Sequence, residues 1–255
     1  MESLQDFITI DPSKKVSDEE LQAWRDEVDR KDQEKLQQDI LKNKRRYYRR
    51  DSLWGTSGEQ TFSFEQWEPS MQRNVKKAQT VKDQAIDLFK KLRVGDNFNI
   101  MLMGTAGNGK TALVLAIMNA LQRFSHRTVM FVSVVDLREL VMHDFTDYEA
   151  ERKQNRVERS MREVDVLILD DFGSEAGGMN NVGSATERLQ QFWFRVAEAR
   201  QAKTKDGKKR FSTIITTNNK RSDLERMYNS KIVSRLVTKK PENQIVFAGL
   251  EDVRE

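Results

Sequence analysis

Short apolar runs alternate with helical patterns along the chain beyond Gly95. Strands are predicted at residues 97–103, 127–134, 164–170, 211–217 and 244–248. The first four runs are almost continuously apolar, which is typical of parallel strands whose two faces are covered by helices. The pattern therefore predicts an α/β domain built on a parallel sheet.

A long amphipathic stretch precedes this domain. Ser17 and Glu20 have the spacing of a capping box, which predicts that a helix begins there, and residues 19–50 contain neither Gly nor Pro. The apolar positions share mainly one helical face: Leu21, Trp24, Val28, Leu36, Ile40 and Tyr47. We expect one long helix, or two with a break near residues 30–33. Its narrow apolar stripe must lie on its own domain or on another protein.

The chain between the long helix and the sheet contains turn-forming residues. Residues 51–63 hold glycines and small polar residues and are predicted to form a linker. A further helix is predicted from Pro69 to about Arg93, ended by Gly95. We therefore divide the sequence into an N-terminal helical segment with its linker, residues 1–58, and a domain of residues 59–255.

A complete phosphate-binding motif, G-x-x-x-x-G-K-T, follows the first predicted strand. Its residues are Gly104, Thr105, Ala106, Gly107, Asn108, Gly109, Lys110 and Thr111. Glycines let the backbone approach a phosphate, and the amides at the start of the next helix attract the anion. We expect Lys110 to reach the β- and γ-phosphates and Thr111 to ligate Mg²⁺. The strand–loop–helix context favours ATP or ADP with Mg²⁺ as ligands over a turn that binds nothing.

Two later strands also end in polar residues. Asp170 and Asp171 follow an apolar run, so we assign Asp170 to Mg²⁺ and Asp171 to activation of the attacking water. Asn218 follows the next strand, where a carboxamide can position the water or contact the γ-phosphate. The alternative for Asn218 is the start of a turn.

Composition narrows the possible functions. The chain has 255 residues, with 44 Lys and Arg against 40 Asp and Glu, and no cysteine. Disulfides, thiolate metal sites and cysteine catalysis are therefore excluded. The first residues lack a secretion-signal pattern and no stretch has the length of a membrane span, so we expect a cytoplasmic protein with no membrane partner. Basic residues and two tyrosines at 42–50 suit nucleic acid or a solvated helix end.

Together, these motifs resemble those of AAA+ ATPases of the DnaC/IstB type, the bacterial replicative helicase loaders and their transposition relatives. The resemblance covers about residues 59–255. It rests on residues 104–111 as Walker A, Asp170-Asp171 as Walker B and residues 216–218 as sensor 1. It implies a P-loop AAA+ parallel-sheet ATPase domain without a C-terminal lid, preceded by an N-terminal helical segment. Asp171 stands where many such ATPases have the longer Glu.

The same resemblance implies contacts with other molecules. Residues 232–236 are similar to the family's arginine-finger segment, so Arg235 is implied to reach the γ-phosphate of a neighbouring copy through self-association at the ATP site. The alternative for Arg235 is a surface ion pair. The N-terminal segment resembles the helicase-binding segment of the loaders. This implies that Leu21, Trp24 and Val28 contact a hexameric replicative helicase.

Residues 143–159 resemble the helical insertion that lines the DNA channel in initiator-type AAA+ proteins. We expect Lys153, Arg156 and Arg159 to contact the phosphates of single-stranded DNA, and an ordinary solvated helix is the alternative. The resulting prediction is an ATP-dependent helicase loader that acts in replication initiation. Two other interpretations remain: an IstB-like ATPase that regulates transposition, and a nucleotide-gated DNA-binding adaptor with little turnover. Residues 177–183 and 201–210 receive no role.

Overall fold

The computed structural model describes residues 17–56, 58–143, 148–176 and 183–252. Its helices and strands follow one another in this order: α1 Asp18–Asp51, α2 Val75–Arg93, β1 Ile100–Met103, α3 Lys110–Phe124, β2 Val129–Ser133, α4 Val134–Met142, α5 Tyr148–Glu163, β3 Val166–Asp170, α6 Glu187–Ala199, β4 Ser212–Thr217, α7 Arg221–Met227, α8 Ser230–Leu236 and β5 Gln244–Val246. Short 3₁₀ turns occupy Pro69–Met71, Ser174–Ala176 and Pro241–Asn243.

All five predicted strands are confirmed and form one parallel sheet in the order β2-β3-β4-β1-β5. Met103 of β1 pairs with Thr217 of β4 on one side and with Val246 of β5 on the other. The strands run the same way, so the carboxyl ends of β1, β3 and β4 lie at one edge of the sheet. Polar residues that follow these strands are thereby brought together.

Helices cover both faces of the sheet, as the continuous apolar strands predicted. Ile100 and Leu102 point into a core shared with α2 and α3. Met101 between them points into the other core, which α4, α5, α6, α7 and α8 complete. Each strand is therefore buried on both sides, which is why its sequence shows no alternation of apolar and polar residues.

The chain divides into two compact units, Met1–Asn43 and Lys44–Glu255. In the first unit, residues 18–43 belong to the continuous helix α1, without the break considered near residues 30–33. The predicted capping box is confirmed, because the Glu20 amide donates to Ser17 Oγ at 3.2 Å and the Ser17 amide donates to Glu20 Oε2 at 3.0 Å. Trp24 is 57% exposed and Leu36 is 61% exposed on this helix.

The prediction of a linker at residues 51–63 is wrong at its beginning. The Leu53 amide donates to the Phe131 carbonyl at 2.9 Å, and the Ser133 amide donates to the Leu53 carbonyl at 2.8 Å, so Leu53 extends the sheet beside β2. The Trp54 ring stacks on Phe131 at 4.9 Å between centroids. The second compact unit begins at Lys44 and so includes both residues, and the division at residue 59 stays a prediction.

The helix predicted from Pro69 begins later, at Val75. Pro69 lies in a 3₁₀ turn, and Asn74 caps α2 by accepting a hydrogen bond from the Lys77 amide at 3.0 Å. Gly95 follows the end of α2 with φ of +103°, a backbone conformation that favours glycine. The predicted stop signal is therefore confirmed, and the predicted start is wrong.

A buried carboxylate connects the end of α1 to α5. Asp51 has no exposed side-chain surface and accepts from Arg156 Nε at 2.8 Å and from Ser160 Oγ at 2.6 Å. We expect Asp51→Ala to lower the free energy of unfolding by about 2 kcal/mol, because it leaves the buried Ser160 hydroxyl without its acceptor and removes the ion pair with the partly exposed Arg156. Urea denaturation measures this change. Asp83→Ala removes the same charge from an exposed position on α2, and an equal loss in both variants would contradict the assignment.

Candidate nucleotide-binding site

The predicted phosphate loop joins β1 to α3 at the carboxyl edge of the sheet. Gly107 and Gly109 have φ of +79° and +90°, so the loop uses the conformational freedom of both glycines. A Cβ atom on Gly109 would lie 2.6 Å from the ring of Trp67, which packs behind the loop. Trp67 is a site residue that the sequence did not single out, and Gly109 is required by this close contact as well as by its backbone angle.

Lys110 connects the loop to the end of β4. Its Nζ donates to the carbonyls of Gly104 at 2.8 Å and Thr105 at 2.6 Å, and to Asn218 Oδ1 at 2.8 Å. Lys110 and Asn218 were predicted separately from different parts of the sequence. The structure brings them into direct contact at the sheet edge.

Thr111 connects the loop to the end of β3. Its hydroxyl donates to Asp170 Oδ1 at 2.9 Å, and the Thr216 hydroxyl donates to the same oxygen at 2.7 Å. Burial raises the pKa of the Asp170 carboxyl above its usual range, against the lowering effect of these two hydroxyls. A cation bound beside Asp170 would offset this cost of burial. Thr111 and Asp170, the two residues assigned to the metal, are therefore in direct contact.

Asp171 has an unusual backbone conformation for a residue other than glycine. Its φ is +61°, and its amide donates to Thr216 Oγ1 at 2.8 Å. Asn218 Nδ2 donates to Asp171 Oδ1 at 3.0 Å, which fixes the carboxylate at the sheet edge. Thr216 thus contacts both aspartates, a role that its place in a polar strand end did not reveal. Such strained conformations are concentrated at functional sites.

Two observations test whether these residues fit a phosphate and a metal ion. The buried Nδ2 of Asn108 has no hydrogen-bond acceptor in the part of the chain that the structure describes. Asp170 retains Oδ2, to which neither neighbouring hydroxyl donates. The loop thus contains a buried donor that no described protein group accepts from, and the strand end offers a carboxylate oxygen suited to Mg²⁺. The residues fit both ligands.

Arg235 lies at the opposite end of the strands, beside their amino ends. Its carbonyl accepts from Asn99 Nδ2 at 2.7 Å, and Asn99 immediately precedes β1, whereas the phosphate loop follows β1. The guanidinium pairs with Glu198 at 2.6 Å and lies 5.2 Å from the centroid of the Phe194 ring. The ion pair considered as an alternative for Arg235 is thus present. Arg235 cannot contact the phosphate loop of its own chain from this position.

The three residues predicted to contact DNA lie on α5. Arg156 pairs with the buried Asp51, and Arg159 pairs with Glu163 at 3.1 Å and is largely exposed. Lys153 lines a surface cleft of about 710 Å³ between α4 and α5. Residues 144–147 of the predicted insertion lie outside the described residues, as do most of residues 177–183. DNA contact at α5 stays a prediction.

The basic and aromatic run at residues 42–50 has structural contacts in the second unit. Arg45 Nη2 donates to the Ser125 carbonyl at 2.5 Å, and Arg45 Nε donates to the Arg127 carbonyl at 3.3 Å. Tyr48 is buried in the core beneath α5. These two residues therefore stabilise the fold, which leaves fewer groups of the run for the nucleic-acid contact considered from the sequence.

Comparison with known proteins identifies the family. The model of the family described as IstB-like ATP binding protein matches residues 31–229. The chain belongs to this family. Membership implies nucleotide binding, and the fold is that of a P-loop AAA+ domain, as predicted. Among curated proteins, the comparison finds no matching relative.

Several solved structures are similar to this chain. A DnaC helicase loader is 21% identical over 65% of this chain and 89% of its own, with a TM-score of 0.48. DnaI is 20% identical over 68% of this chain and 84% of its own, with a TM-score of 0.48. A replication initiator DnaA bound to AMPPCP and single-stranded DNA is 17% identical over 72% of this chain and 49% of its own, with a TM-score of 0.50.

These similarities concern the fold alone. The chain spans about half the length of the replication initiators that it matches, 46% and 47% of two further examples. No helix within the described ranges is long and apolar enough to cross a membrane.

A buried glutamate behind the Walker B strand was not anticipated from the sequence. Glu175 accepts from the Gly173 amide at 2.9 Å and from the Tyr228 hydroxyl, and the Tyr228 ring stacks on Phe172 at 4.7 Å. Burial raises the pKa of Glu175 from 4.5 to about 7. Because the nearest sequence signal is a common Ser-Glu-Ala turn, only the packing of Tyr228 against it distinguishes this carboxyl group.

The raised pKa of Glu175 predicts a pH dependence of stability. Between pH 4.5 and about 7 the folded chain holds a proton that the unfolded chain releases, so stability falls as pH rises. Relative to Glu175→Gln, the wild type should lose roughly 3 kcal/mol of unfolding free energy across this range. Denaturation at a series of pH values measures the difference. Parallel curves for the two proteins would contradict the prediction.

Proposed function

We propose that this protein is an ATP-hydrolysing loader that places a hexameric replicative helicase on single-stranded DNA. One observation carries the enzymatic part of the proposal. Residues of three separated motifs are hydrogen-bonded at one sheet edge, with Lys110 bonded to Asn218 and Thr111 bonded to Asp170. Phosphate binding, metal binding and water activation need such an arrangement within a few ångströms.

Each residue has a proposed role in hydrolysis. The loop amides and Lys110 bind the phosphates, and Thr111 with Asp170 holds Mg²⁺, which supplies positive charge for phosphoryl transfer. Asp171 orients and deprotonates the attacking water, and Asn218 holds Asp171 in place through its 3.0 Å hydrogen bond. Because Asp is shorter than Glu, we expect slow turnover.

The location of Arg235 supports self-association. Because it lies at the amino ends of the strands, away from its own phosphate loop, we propose that it completes the site of a neighbouring copy. Its side chain is 24% exposed beside the pair with Glu198, which supports a contact with a neighbouring copy. The positive charge would stabilise the transferring phosphoryl group across the interface.

The partner contacts rest on exposed residues and on the family. Leu21 and Trp24 are exposed on α1, and Val28 is half-buried, which supports this face as a helicase contact. Lys153, Arg156 and Arg159 remain the proposed DNA contacts, and the similar DnaA chain binds single-stranded DNA.

Two other functions are distinguishable by experiment. An IstB-like transposition ATPase, favoured by the description of the matching family, would bind a transposase in place of a helicase. A DNA-binding adaptor gated by nucleotide would bind ATP and DNA but release little phosphate with or without single-stranded DNA.

Nucleotide binding is tested with Lys110→Ala. We expect its affinity for a fluorescent ATP analogue to fall at least tenfold, because a charge-assisted contact with the phosphates is lost. Fluorescence titration measures the change, and Lys91→Ala, at an exposed position on α2, is the control. Asp171→Asn should keep the affinity and lose phosphate release. Full affinity of Lys110→Ala would contradict the proposed site.

Helicase binding is tested by capture of a purified hexameric replicative helicase. We expect the wild type to retain the helicase and Trp24→Ala to lose most of it, because exposed tryptophans commonly dominate the energy of an interface. Phe124→Ala is the matched control, since Phe124 is 56% exposed on α3. No capture by the wild type would exclude the loader function while leaving ATP binding unaffected.

A further inference from the structure

The segment after β5 turns back toward the phosphate loop. The Phe247 amide donates to the Met103 carbonyl at 2.8 Å, and the Leu250 amide donates to the Phe247 carbonyl at 3.0 Å. Gly249, with φ of +86°, allows the turn. The carboxylate of Asp252 then occupies the space beside Gly107 that a side chain on Gly107 would need. A negatively charged group therefore lies against the middle of the phosphate loop.

A buried glutamine fixes this segment. Gln72 Nε2 donates to the Glu251 carbonyl at 3.0 Å, and the Glu251 amide donates to Gln72 Oε1 at 2.8 Å. Arg73 pairs with the Glu251 carboxylate at 3.3 Å. Both backbone polar groups of Glu251, the residue immediately before Asp252, are thus hydrogen-bonded to Gln72. These hydrogen bonds fix the segment and keep the Asp252 carboxylate beside the loop.

The negative charge of Asp252 repels a phosphate bound at the loop. The amides of the loop and the start of α3 attract anions, and the Asp252 carboxylate experiences that attraction as a phosphate would. At a separation of about 6 Å, two like charges change a binding constant by a factor of roughly three to a hundred, depending on the effective dielectric constant. A nucleotide must displace this carboxylate or bind beside it.

We propose that Asp252 is a built-in anionic competitor that weakens the binding of nucleotide phosphates and speeds their release. The proposal rests on the proposed nucleotide site and deepens it by naming a residue that sets its affinity. Because the effect acts on phosphate charge, the binding of ADP and ATP is weakened, whereas the binding of adenosine is unchanged. Asp252 sets the affinity for nucleotide and is separate from the residues assigned to hydrolysis.

The experiment compares the full-length wild type with two variants that remove the same charge from adjacent residues. Asp252→Asn neutralises the carboxylate at Gly107, and Glu251→Gln neutralises the one that faces Arg73. We expect Asp252→Asn to bind ADP and a non-hydrolysable ATP analogue about tenfold more tightly and to release them more slowly. Glu251→Gln should stay within about twofold of the wild type, and adenosine should not distinguish Asp252→Asn from the wild type.

Salt and a third variant add independent measurements. The difference between Asp252→Asn and the wild type should shrink as salt screens the repulsion. Gln72→Ala removes both hydrogen bonds to Glu251 and should tighten ADP binding in the same direction as Asp252→Asn.

Four results would overturn the proposal. Equal ADP affinity in Asp252→Asn and the wild type means that the carboxylate exerts no competition. Weaker binding by Asp252→Asn means that Asp252 helps to hold the nucleotide. If neither the wild type nor any variant binds ADP or ATP, the proposed nucleotide site fails, and the proposal fails with it. Equal tightening in Glu251→Gln would indicate a general charge effect and would also contradict the assignment to Asp252.

Discussion

The hydrogen bond from Thr111 to Asp170 joins the phosphate loop to the end of β3, and the rest of the site depends on it. The residues come from segments on either side of the neighbouring strand β4, and Thr216 of β4 donates to the same carboxylate oxygen. The contact exists only because β1, β3 and β4 are parallel and end at one edge. A shift of any of these strands by one residue would turn its polar end away.

The site contains features that oppose stability. Asp170 is a half-buried carboxylate, Asp171 has a left-handed backbone, and Asn108 has a buried donor without a partner in the described structure. Each costs on the order of one to a few kcal/mol. The two apolar cores on either side of the sheet offset these costs, because they bury nearly every strand side chain. A bound phosphate and metal would relieve the charge and hydrogen-bond deficits, which couples nucleotide binding to stability.

The carboxyl and amino ends of the strands carry complementary parts of one proposed reaction. The phosphate loop lies at the carboxyl edge, and Arg235 lies at the amino edge, where Asn99 fixes its backbone. Asn99 also accepts from Lys209, at the root of the basic hairpin of residues 203–209. A molecule with its phosphate site at one edge and its arginine at the other suits head-to-tail association, in which each copy completes the next.

Local sequence determined the parallel α/β fold, the five strands, the phosphate loop and the acidic strand end, because each depends on neighbouring residues with a fixed period or spacing. Contacts between distant residues were decided only by the tertiary structure. Leu53 joins the sheet because the edge of β2 has unpaired backbone groups to offer, although its glycine-rich surroundings predicted a linker. Asp252 reaches Gly107 because β5 lies beside β1 and Gln72 binds Glu251, and no pattern within either segment records that proximity.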